Sequence, residues 1–78
     1  MDDYKERMKE EYNELGERII KLENMLVKEK KGELGFEFNC PVELLREQLD
    51  VMRKYFKILE ERAKIEGVNL TFSAIGVN

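Results

Sequence analysis

Two apolar stripes run along the second half of this chain, and a single helix partner covers only one of them. The first stripe is Leu45, Leu49, Met52, Phe56, Leu59 and Ala63, and the second is Leu44, Val51, Tyr55, Ile58 and Ile65. Both repeat in steps of three, four or seven, which is the spacing of one face of an α-helix. The first half of the chain carries one such seam: Tyr4, Met8, Tyr12, Leu15, Ile19, Leu22 and Leu26. Seam on seam gives two long antiparallel helices. The surplus stripe then demands a further partner, and a second copy of the chain is the simplest one.

The boundaries follow from local chemistry. Asp2 and Asp3 supply N-terminal caps and negative charge at the positive end of the first helix. Lys28, Lys30 and Lys31 sit at its negative end, and Gly32 suits the residue just past it. This predicts a helix over about 2–31 and a turn over 32–40. A second helix over about 41–66 opens on Pro41, whose missing N–H is not needed in a first turn, with Glu43 behind it and Gly67 as the stop. Phe36 and Phe38, alternating with Glu37, are expected to turn both rings inward as a plug for the hairpin end. Gly16 lies inside the first helix at a cost of about 1 kcal/mol. Either it permits close packing or it lets a ligand reach the backbone. Residues 68–78 lose their charge and form a short non-helical tail. The expected fold class is all-α: an antiparallel two-helix hairpin, residues 1–67, that assembles into a helical homo-oligomer.

Several functions find no chemistry here. The chain has no histidine and one cysteine, Cys40, so it lacks a nucleophile–base dyad, an internal disulfide and any zinc-ligand spacing. Gly32 and Gly35 match no phosphate-loop pattern. No cofactor and no metal is expected, and no catalytic residue is assigned. No run of roughly 18 apolar residues exists for a membrane span, and Asp2, Asp3 and Glu6 do not suit a secretory leader, so a soluble cytoplasmic protein is expected. With 14 basic against 17 acidic residues the net charge is −3, which argues against long nucleic acid. A short anion needs only two or three well-placed cations.

Those cations exist. Tyr4 and Arg7 are neighbours at i,i+3; Tyr12 and Arg18 follow on the same helix; Arg46 and Gln48 open the second. A tyrosine offers a base a flat stacking surface, and an arginine offers a phosphate a two-pronged donor. The same residues also read as core tyrosines and glutamate-paired arginines, and periodicity does not separate the two readings.

The pattern Tyr4-x-x-Arg7-Met8-x-x-Glu11-Tyr12-x-x-Leu15-x-x-Arg18-Ile19-x-Lys21-Leu22 resembles the first helix of small phage proteins that act as anti-CBASS and anti-Thoeris signal sponges. The run Leu44-Leu45-Arg46-Glu47-Gln48-Leu49-x-x-Met52-x-x-Tyr55-x-x-x-Leu59-x-x-Arg62-Ala63, closed by Glu66-Gly67, extends the likeness over about residues 1–70. The resemblance implies a multimer of hairpins, a homohexamer, that sequesters cyclic nucleotide second messengers without cleaving them. Those messengers are cyclic di- and trinucleotides of CBASS immunity or cyclic ADP-ribose isomers of Thoeris. It places pockets between protomers, with Tyr4 and Arg7 near one and Arg46 facing phosphate beside Gln48. Tyr12 and Arg18 are further candidates. The anti-Thoeris branch has a longer C-terminal region than the tail from Val68 onward, which favours CBASS-type ligands. A helical interaction protein with no small ligand is the alternative.

Overall fold

The computed structural model describes residues 3–71. Helix α1 spans Asp3–Lys30 and helix α2 spans Val42–Glu66, and the two pack along their length as an antiparallel hairpin with no strand among the described residues. The shape is a rod, 47 × 24 × 16 Å.

Each helix stops on a glycine because each stop needs a left-handed residue. Gly32 has φ 72° and Gly67 has φ 70°. At the end of α1 the Gly32 N–H donates to the Glu29 carbonyl at 3.0 Å and the Glu33 N–H to the Lys28 carbonyl at 2.8 Å. That pair closes the carbonyls a helix end otherwise leaves bare. At the end of α2 the Gly67 and Val68 N–H groups both donate to the Ala63 carbonyl, the latter at 2.8 Å. Val68 is thereby folded under the helix, buried beside Ala63, and Leu70 packs on the same cluster. The remainder of the expected tail, residues 72–78, lies outside the described residues, as does the expected cap Asp2.

Pro41 stands one residue outside α2 rather than inside its first turn. Its ψ of 142° is extended, and its carbonyl accepts from the Leu44 N–H at 3.1 Å, so it caps the helix through its backbone. Glu43 supplies the negative charge that the absent side-chain cap does not.

The core is one continuous seam. Met8, Tyr12, Leu15, Ile19 and Leu26 of α1 are buried against Leu49, Leu59 and Ala63 of α2, with Leu22, Leu45, Met52 and Phe56 packed around them. Leu59 is wholly enclosed. Gly16 is buried within α1 as well.

Two further expectations are corrected here. Tyr4 is not part of the seam; it is 46% exposed. Tyr12 bonds to Glu60 across the hairpin, so two turns further out the position opposite Tyr4 falls past the end of α2, and little remains to cover it. Phe36 does not turn inward. It is 56% exposed, and only Phe38 packs on the core, with the two rings edge-to-face at 5.7 Å. Alternation inserts two rings only where the backbone between them is extended, and here the chain bends at Gly35 and Phe36.

The second stripe of α2 stays bare. Leu44, Val51, Ile58 and Ile65 are each more than half exposed and Tyr55 is 37% exposed. Among the described residues no helix is long and apolar enough to cross a membrane.

Candidate functional site: a cationic groove beside the turn

Arg46 and Arg53 are seven residues apart and so stack on one side of α2, two turns from each other. Opposite them α1 presents Glu23, Val27 and Lys30, also at helical spacing. Together they rim a groove of about 240 Å³ floored by Leu26 and Leu49. Arg53 spans it: its Nη2 donates to Glu23 Oε2 at 2.5 Å, and its Nη1 lies 3.8 Å from Asp50 Oδ1. Among the described residues neither Lys30 nor Arg46 has an ion pair within 4 Å. The groove therefore holds two uncommitted cations and a third held by two carboxylates. Half-exposed Val27 adds an apolar shelf. A phosphate with an attached sugar or base fits that mix: cations for the anion, an apolar floor for the flat group.

A larger hollow of about 480 Å³ surrounds the turn, but Glu29 and Glu37 line it and no cation does. It repels phosphate. Half-buried Cys40 also borders it.

The structure separates the residues that the sequence suggested. Arg46 lies in the groove. Gln48 points to another face of α2, into a shallow hollow with Leu44, Glu47, Val51 and Met52, and its Nε2 contacts Met52 Sδ at 3.8 Å. Tyr4 and Arg7 are exposed on the first turns of α1, at the opposite end of the rod. Counting from Arg7 to Val27 at 1.5 Å per residue puts them about 30 Å from Arg46. Arg18 is exposed in mid-helix, 4.0 Å from Glu14.

Tyr12 belongs to the core. It is 6% exposed, its ring stacks on Phe56 at 4.2 Å and 13°, and its hydroxyl donates to Glu60 Oε2 at 3.0 Å. Burial first, and then the bond to Glu60 and that carboxylate's charge, push its pKa up to about 12. Tyr55 returns the gesture from α2, donating to Glu11 Oε1 at 2.5 Å. That bond, with burial and the charge of Glu11, raises its pKa against the opposing pull of Arg62. The two bonds cross the interface in opposite directions and fix the register of the hairpin.

Lys30 and Arg53 went unnoticed in the sequence. Lys30 reads there as a helix-end charge, while Arg53 was signalled by its two-turn spacing from Arg46.

The family model that matches this chain is described as Sequestin, and it aligns with residues 2–65. The chain belongs to the Sequestin family. The match takes in all of α1 and α2 but for the last residue. The name denotes sequestration, in keeping with the likeness to sponge proteins read from the two helices. No curated protein and no solved structure matches the chain. For a Sequestin the question raised by the groove is how so small a hollow holds a ligand. Ligand sites usually enclose about 300–1,000 Å³, and this groove, at about 240 Å³, falls short of that range.

Proposed function

We propose that this Sequestin is a phage anti-defence sponge that binds cyclic nucleotide second messengers and holds them intact, away from the host effector. CBASS-type cyclic di- and trinucleotides are the preferred ligands, with cyclic ADP-ribose isomers second. The observation that carries this reading is the meeting of Lys30, Arg46 and Arg53 over an apolar floor, in a chain whose family is named for sequestering.

The work is done by binding alone. Two or three phosphates are matched by a few cations rather than by a basic surface, which suits a protein of net charge −3. Arg46 and Lys30 take phosphate, and Arg53 stays aimed by Glu23. Tyr4 and Arg7 of a second copy supply the stacking ring and a further cation. A homo-oligomer, a hexamer by the resemblance, completes the pockets, and the cytosol of the infected bacterium is where the messenger is met. Tyr12, Arg18 and Gln48 fall outside this contact set.

Calorimetry against cyclic di- and trinucleotides and cyclic ADP-ribose isomers tests it. A bound ligand at a hundredfold excess over its Kd stabilises the fold by about 2.7 kcal/mol, visible as a rise in Tm. Arg46→Ala weakens binding about tenfold or more, since a hydrogen bond to a charged group contributes roughly 1.5–3 kcal/mol. Denaturing the complex returns the ligand intact. A panel with no binder favours instead the helical interaction protein, for which the bare stripe of α2 speaks. Release of a linear nucleotide makes the protein an enzyme and refutes the sponge.

A further inference from the structure

The exposed stripe of α2 also says how two copies meet. Leu44, Val51, Ile58 and Ile65 recur every seven residues on a face that α1 leaves bare, with Tyr55 along its edge. Their exposed area is on the order of 500 Å² per copy, in the upper part of the roughly 300–600 Å² of the largest patch on a monomer, and well over half of the roughly 800 Å² per partner of a standard interface. A strict seven-residue repeat is the pattern of one helix laid along another.

The charges beside the stripe choose the direction. On the flank turned away from α1, α2 carries Glu43, Glu47 and Asp50 in its first half and Lys54 and Lys57 in its second, with Glu61 the exception; all are exposed. Parallel stacking sets three carboxylates beside three carboxylates. Antiparallel stacking about a two-fold axis near Lys54 and Tyr55 sets Asp50 level with the partner's Lys57, twice over. Glu47 meets the partner's Glu61 there, with the partner's Lys57 about one turn away. Opposite charges across a seam set orientation as well as affinity.

We propose that α2 packs against α2 of a second copy, antiparallel, with Leu44 over the partner's Ile65 and Val51 over the partner's Ile58. This rests on the reading that the chain self-associates, and it adds the face and the polarity of the contact. It is an isologous interface, the same patch used twice.

Disulfide trapping on the full chain in a Cys40→Ser background tests it, with sedimentation of the same variants run beside it. Ile65→Cys alone gives no covalent dimer under mild oxidation, because its mate lies 21 residues away along the partner, about 30 Å. Leu44→Cys alone gives none either. The double variant Leu44→Cys/Ile65→Cys gives a covalent dimer. If sedimentation shows an oligomer and Ile65→Cys cross-links to itself, the polarity is wrong. If it shows an oligomer and no variant cross-links, the face is wrong. A monomer in sedimentation refutes the self-association underneath both. Charge reversal supplies an independent readout: Leu44→Glu dissociates the dimer and Leu44→Glu/Ile65→Lys restores it. Failure of the second variant to restore it overturns the pairing, while circular dichroism verifies that each chain remains helical.

Discussion

Raising the pH above 10 should loosen the open half of the hairpin through Tyr12. In the unfolded chain this phenol titrates near 10, and in the fold its pKa is pushed up to about 12. The fold thus favours the neutral phenol. The stabilisation is fully present below pH 10, declines as pH climbs from 10 toward 12, and is gone above that, since the unfolded state gives up its proton first. Two pK units set a ceiling of about 3 kcal/mol on the loss. Glu60 is exposed and water reaches it, so the realised figure is lower, about 1–2 kcal/mol. Tyr55, also raised, loses stability in the same direction from its exposed site. The assay is urea denaturation followed by far-UV circular dichroism from pH 8 to 11.5, in parent and Tyr12→Phe. The variant gives up the bond to Glu60 but keeps the stack on Phe56, so it starts about 1 kcal/mol less stable at pH 8. It then loses less on the way up, because the titrating group is gone. Parallel stability profiles for parent and variant would refute the assignment of the alkaline transition to Tyr12.

The other substitutions probe packing and backbone. Leu59→Ala removes the wholly enclosed side chain at the centre of the seam and should cost roughly 2–5 kcal/mol, enough to unfold most of a small domain; a loss under 1 kcal/mol in chemical denaturation means the seam is not the core. Gly67→Ala meets no atom within 4 Å, so its cost comes only from holding an alanine at φ 70°; about 1 kcal/mol, or roughly 4–8 °C in Tm, is expected by differential scanning calorimetry, and an unchanged Tm contradicts the left-handed stop.

What the sequence made legible, and what it hid, divides by the range of the physics involved. Helix lengths and stops were readable because a stripe of Leu and Ile every three or four residues, ended by Gly32 or Gly67, is a local signal. The spare stripe of α2 was readable for the same reason: Leu44 and Ile65 obey a period that Leu45 and Ala63 have already filled. Tyr4 and Phe36 were misplaced because their burial depends on what lies across from them, namely the end of α2 and a bend at Gly35. The groove was half readable. Arg46 was named, but Lys30 joins it only through the register in which the helices pair, and that register is fixed by Tyr12 with Glu60 and Tyr55 with Glu11. Gln48 was set beside Arg46 by sequence proximity, yet two residues along a helix turn a side chain about 200°, to the other face.

The 30 Å between Arg46 and the pair Tyr4–Arg7 is the fact that joins these pieces. Within one rod no ligand the size of a cyclic dinucleotide touches both. Antiparallel α2 pairing reverses the second rod, so position 46 of one copy comes level with position 63 of the other. Tyr12 already pairs with Glu60, and carrying that register one turn further places position 63 beside the first turns of α1. In such a pair the arginine at the turn end of one subunit would lie level, along the rod, with the tyrosine and arginine at the open end of its partner. Arg46, two residues past Leu44, faces about 200° from it, so the contact that covers the stripe does not by itself close the groove. A pocket joining the groove to Tyr4 and Arg7 of another copy would then need a second kind of contact, and so an oligomer larger than a dimer.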